Sequence, residues 1–97
     1  MTTQSERAEP TVIRPSGRAV SRIVSGQALI LDAAHDEIRQ LNTVGSFLWS
    51  LLLASPQTET ELLDEMMSEF EVTREVASAD LAEFLGELES MSLIVRS

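Results

Sequence analysis

The single histidine, His35, stands beside Asp36 in a short polar stretch between two apolar segments, and an imidazole next to a carboxylate is the smallest pair that can work as a general base. Its setting reads as a hairpin turn, where a histidine is ordinarily just hydrated. Asp64, Glu65, Glu69 and Glu71 are the kind of carboxylate grouping that can hold a hard cation. They lack the Asp-rich loop and central glycine of an EF-hand and run along one helix and its end, so they are expected to form a solvated face. The chain has no cysteine, which removes thiolate metal sites and disulfides, and its four glycines do not recur at a nucleotide-binding spacing. No catalytic group, cofactor or metal is expected, and the protein is read as a binding module rather than an enzyme.

Ninety-seven residues suffice for one domain with a single modest core, and 43% hydrophobic against 24% charged residues is the balance of a folding chain. The longest apolar run, Leu51 to Ala54, is one helical turn, so no membrane span is expected. The first residues lack a basic start and apolar stretch, which makes a cytoplasmic location the expectation. Sixteen acidic against seven basic residues give a formal net charge of -9, which repels phosphate backbones and favours a peptide or protein partner over nucleic acid. Arg14, Arg18, Arg22 and Arg39 all precede position 40, whereas acid concentrates from Glu59 to Glu89, so two faces of opposite sign are expected.

The elements that must position any binding surface are legible in order. Residues 1–10 read as a flexible tail and 11–97 as the folded domain. Thr11 to Ile13 and Ala19 to Val24 read as short strands broken by Pro15, Ser16 and Gly17. Ala28 to Asp32 reads as a strand covered on both sides, Ala33 to Asp36 as a hairpin connection, and Glu37 to Leu41 as the returning strand. Asn42 caps a helix with Val44, Phe47, Leu48, Leu51 and Leu52 on one stripe, stopped by Pro56. Thr58 and Glu61 form a capping box before Leu62, Leu63, Met66, Met67 and Phe70, the methionines being core filler. Thr73 caps a third helix carrying Leu81, Phe84, Leu85, Leu88 and Met91, after which Leu93 to Val95 forms a short strand or tail. Trp49 lies one residue off the first stripe, so partial exposure is expected, either as a partner anchor or as a cap on the core.

The fold class is therefore α+β: a small three-stranded antiparallel sheet followed by three α-helices, a winged helix-turn-helix outline. The third helix argues against DNA reading, because its outward residues are Glu75, Ser78, Asp80, Glu83 and Glu87 where Arg, Lys, Asn or Gln would be needed. What remains is the surface between Glu37 to Leu41 and the third helix. An edge strand offers unpaired backbone groups to an added strand, and a neighbouring helix supplies pockets that choose its sequence. Alternation puts Ile38 and Gln40 on one face, Arg39 and Leu41 on the other, and leaves open which pair meets the groove.

Several features of residues 16 to 95 resemble the PqqD family of peptide-recognition proteins: Ser16, Val20 and Arg22 before the sheet, Leu29 to Asp32, Leu41-Asn42, Gly45, Leu48-Trp49, Thr58 with Glu61, and Asp80-Leu81 with Phe84-Leu85 and Leu88. The resemblance implies a non-catalytic chaperone that binds the leader of a ribosomally made precursor peptide by strand addition. It then delivers that leader to a maturase, a radical-SAM enzyme or a leader peptidase, in the coenzyme PQQ pathway or a lasso-peptide or similar pathway. By position, the groove implied comprises Ile38, Arg39, Gln40 and Leu41 faced by Asp80, Leu81, Phe84, Leu85, Glu87 and Leu88. The chain departs from the family pattern at Ile38 and Arg39, where aromatics are frequent, and at Asp36 and Ser92, where glycine is. The alternatives are an acidic winged-helix adaptor in transcription and an accessory subunit of an enzyme complex. Homodimerisation is left open.

Overall fold

The computed structural model describes residues 11–32 and 35–97. The tail expected over residues 1–10 lies outside them, as do Ala33 and Ala34 of the hairpin connection. The elements run β1 (Val12–Pro15), β2 (Val20–Val24), β3 (Gln27–Asp32), β4 (Glu37–Gln40), α1 (Thr43–Ala54), β5 (Gln57–Thr58), α2 (Glu59–Glu69), α3 (Arg74–Ser90) and β6 (Ile94–Arg96). No helix among the described residues is long and apolar enough to cross a membrane.

The α+β class and the three helices agree with the sequence, but the strands form two antiparallel three-stranded sheets rather than one. In the first, β2, β3 and β4 lie in sequence order; in the second, β1 is central between β5 and β6. Thr58 pairs with Val12, and Val95 pairs with Arg14. Two reciprocal 2.9 Å hydrogen bonds between Val12 and Ser97 close the second sheet. Pro15 ends β1, and the Ser16 hydroxyl donates to the Ser92 carbonyl at 2.7 Å, which holds the chain against the end of α3. The sheet of β2 to β4, with α1 packed against β3 and α2 packed on α3, is consistent with a winged helix-turn-helix outline.

Local chemistry accounts for the boundaries. Ser25 (φ 53°) and Gly26 (φ 78°) make the two-residue turn between β2 and β3, both in the left-handed region that lets a tight hairpin follow the strand twist. The Asn42 side chain accepts from the Gly45 amide at 2.8 Å. Thr58 and Glu61 complete the capping box, with bonds of 3.1 and 2.8 Å, and Thr73 accepts from Val76 at 3.2 Å.

The core joins both sheets to the helices through Ile13, Ile30, Leu48, Leu62, Leu81 and Leu85. Two expectations change here. β3 was expected to be covered on both sides, but it buries only Ala28, Ile30 and Asp32, while Leu31 on the other face is 42% exposed. Trp49 was expected to be partly exposed and is fully buried, because it turns toward the sheet, where its indole N–H donates to the Ser21 hydroxyl at 2.9 Å. The methionine reading holds, with Met66 2% exposed in the core.

The two positions where the family pattern has glycine, Asp36 (φ 53°) and Ser92 (φ 59°), both adopt left-handed backbone. A residue with a Cβ carries roughly 1–2 kcal/mol of strain there. Ser92→Gly is therefore expected to raise the unfolding free energy by roughly 0.5–1 kcal/mol, after allowing for glycine's greater unfolded-state entropy. Urea denaturation that finds no gain would mean this turn is unstrained.

Candidate functional site

β4 pairs with β3 along one side, Leu31 opposite Ile38 and Ile30 opposite Arg39, and among the described residues no strand lies along its other side. All four of its residues are exposed, Ile38 most at 69%. The Leu41 amide donates to the Ala28 carbonyl at 2.9 Å, so in an antiparallel ladder the backbone groups of Arg39 and Glu37 also turn toward β3. Those of Ile38 and Gln40 then point away from the sheet. The free edge thus offers two donors and two acceptors at the spacing an incoming strand requires.

The side chains divide the same strand between two faces. Arg39 and Leu41 turn toward α3: the Arg39 Nε–H donates to Met91 Sδ at 3.0 Å, and Leu41 packs against the core. Ile38 and Gln40 face outward in rows with Leu31 and Leu29, beside a shallow cavity of about 260 Å³ that also touches Val20 and Arg22.

Between β4 and α3 lies a cavity of about 190 Å³ lined by Ile38, Arg39, Gln40, Leu41, Phe84, Glu87, Leu88 and Met91. A second one, of about 260 Å³, continues it toward the start of α1 and is lined by Asn42, Val44, Gly45, Leu48, Asp80, Glu83, Phe84 and Glu87. Phe84 and Glu87 belong to both, so the two form one groove along α3. Gly45 permits this shape: a Cβ there would stand 3.1 Å from the Phe84 ring and 3.3 Å from Leu41.

Of the residues expected from sequence, Ile38, Arg39, Gln40, Leu41, Phe84, Glu87 and Leu88 line the first cavity and Asp80 the second. Leu81 and Leu85 do not line it; 1% and 0% exposed, they support the groove from the core side. Met91, Glu83 and the α1 residues were missed. Met91 and Glu83 carried a signal, since one continues the α3 stripe and the other follows Asp80 by a helical turn.

A buried hydroxyl joins the end of β4 to α1. Ser46, 2% exposed on α1, accepts from the Ala28 amide at 2.8 Å and donates to the Leu41 carbonyl at 3.2 Å. The Gln27 side chain also donates to that carbonyl, at 3.1 Å. Elsewhere, His35 lies on the surface as expected, but its partner is the buried Asp32, with Nδ1 and Oδ2 2.7 Å apart, and not Asp36. Asp64 pairs with Arg74 at 3.4 Å, and among the described residues no three potential ligand side chains gather as a metal site.

The protein-family model described as coenzyme PQQ synthesis protein D (PqqD) matches residues 27–94. The chain belongs to the PqqD family. Among solved structures, it is similar to TbiB1 in complex with the TbiA(beta) leader peptide, with 28% identity and a TM-score of 0.76 over 84% of this chain and 93% of that one. It also shares its fold with a lasso peptide synthetase B1 complexed with the leader peptide, at 22% identity and a TM-score of 0.72 over 86% of this chain and 96% of the other. No curated protein matches in sequence.

Removing the buried hydroxyl tests what holds this PqqD-family groove in place. Ser46→Ala leaves the buried Ala28 amide without its partner, which is expected to cost about 1–3 kcal/mol of stability. Amide exchange at Ala28 and Leu41 should accelerate more than at β2. Equal acceleration throughout would show that Ser46 stabilises the whole fold and not this junction.

Proposed function

We propose that this protein is a non-catalytic recognition element. It captures the leader segment of a ribosomally synthesised precursor peptide as a fourth strand on the open edge of β4, against α3. It then presents the peptide to a maturation enzyme, a radical-SAM protein or a leader peptidase. The observation that carries the reading is the outward-facing backbone of Ile38 and Gln40 directly beside the α3 groove. Membership of the PqqD family and the similarity to TbiB1, whose structure holds a leader peptide, support it.

Strand addition suits the dimensions. Four exposed β4 residues provide a ladder for a short extended segment, whose alternate side chains meet α3 while the others continue the outer face past Ile38. The backbone bonds supply affinity with little regard to sequence, and the groove supplies choice. The competing use of a helix beside a small sheet, DNA binding, is disfavoured by charge: Glu75, Asp80, Glu83 and Glu87 are all exposed on α3 and would face phosphates.

The test is an isotope-labelled NMR titration with the N-terminal segment of the precursor peptide encoded beside this protein. Saturable shifts should centre on Ile38 to Leu41 and on Asp80 to Met91; shifts elsewhere only, or none, refute the reading. Gln40→Pro sharpens it, because proline removes an outward amide that β3 does not use and is tolerated on an edge strand. This variant is expected to fold and to bind the leader at least about tenfold more weakly, the loss of one or more backbone bonds. Arg39, held in the structure only by a weak sulfur contact among the described residues, is expected to pair with a leader carboxylate. Arg39→Glu should then reduce affinity by about tenfold, and unaltered affinity would remove Arg39 from recognition.

A further inference from the structure

We propose that the groove selects its peptide by charge: a lysine or arginine of the leader sits against Asp80, Glu83 and Glu87, an even number of residues from an apolar side chain seated among Leu41, Phe84 and Met91. This rests on the leader-binding reading above and specifies the substrate class for that site.

The two cavities that make up the groove share Phe84 and Glu87 and differ in the rest of their lining. The one beside β4 presents Leu41, Phe84, Leu88 and Met91 together with Ile38, Arg39, Gln40 and the shared Glu87. The one toward α1 presents three carboxylates spaced three and four residues apart, which places them on one side of α3 around the Phe84 ring. Ion pairs among the described residues run from Arg74 to Asp64 and from Arg96 to Glu59 and Glu89; none reaches Asp80, Glu83 or Glu87. Three carboxylates side by side repel one another, and a ligand cation relieves that repulsion. The aromatic face beside them adds attraction for the same cation.

Geometry then fixes spacing and direction. Asp80 and Met91 are eleven positions apart on the helix and its cap, which is about 16 Å of rise, or about five residues of an extended strand. Only alternate strand residues face α3, so the cation and the apolar anchor must be two or four residues apart. Arg39 contacts Met91 while Leu41 lies beside the Gly45–Phe84 contact, so β4 runs opposite to α3. A leader antiparallel to β4 runs with α3, and its basic residue precedes its apolar one. Backbone pairing alone tolerates a slip of two residues; a groove with Arg39 and Met91 at one end and Asp80 and Glu83 at the other does not.

The test pans a random peptide display library, each insert about ten residues long, on the full chain at about 50 mM NaCl. Enriched peptides are then mapped by NMR. Lys or Arg is expected two or four positions before an apolar residue. Exchanging that cation for Glu in a synthetic peptide should weaken binding about tenfold, with the difference shrinking at about 500 mM NaCl. Asp80→Asn, Glu83→Gln and Glu87→Gln together keep the side-chain shapes and should erase the preference. Binders that shift Ile38, Gln40 and Phe84 without any basic bias overturn the charge selection and leave strand addition standing. A library yielding no binder that shifts β4 overturns both.

Discussion

One hydroxyl inserted into a strand ladder governs the arrangement of the site. In a regular antiparallel pair the Ala28 amide would return to Leu41. Here it donates to Ser46, and Ser46 donates onward to the Leu41 carbonyl. The last rung of the β3–β4 ladder is thus shared with α1, so the chain passes from strand to helix through one buried polar junction. Asn42, two residues from Gln40, caps α1 at the same place. Because a buried amide without a partner is costly, the strand cannot rotate or slide against the helix without breaking several bonds together. The end of β4 is therefore tied to α1 beside the groove that α3 lines.

α3 serves core and surface at once. Leu81, Leu85 and Leu88 point inward, and Asp80, Glu83 and Glu87 point outward with Phe84 between the two sets. The 3.6-residue period makes this division automatic: the inward leucines fix the helix's rotation, and that rotation decides which acids meet the groove. Gly45 lets the half-buried ring of Phe84 approach α1 closely enough to floor both cavities. Core packing and groove shape are coupled through a single ring.

The parts of this design legible in the sequence are those built from local rules. Helix caps, apolar stripes and the β3–β4 hairpin depend on neighbours within a few positions, and Asn42, Thr58 and Thr73 are found capping as their types dictate. The groove was legible because an edge strand followed by helices leaves few other open surfaces. The second sheet was not, because two to four residues each from β1, β5 and β6 carry no period, and their pairings join residues more than forty positions apart. Ser46 gave no signal either, since a serine on the buried side of a helix is recognisable only once its partners are placed. Trp49 misled for a related reason. Its distance from the α1 stripe was read as exposure, when a helix packed against both a sheet and other helices has two buried sides.

An unpaired strand edge is also a hazard, because it can template the pairing of identical chains into aggregates. β4 is only four residues long and includes the charged Glu37 and Arg39, which limits the ladder a second copy could grip. A formal charge of -9 on each chain opposes that encounter further. The shortness of the edge and the like charge carried by each chain both oppose pairing between copies.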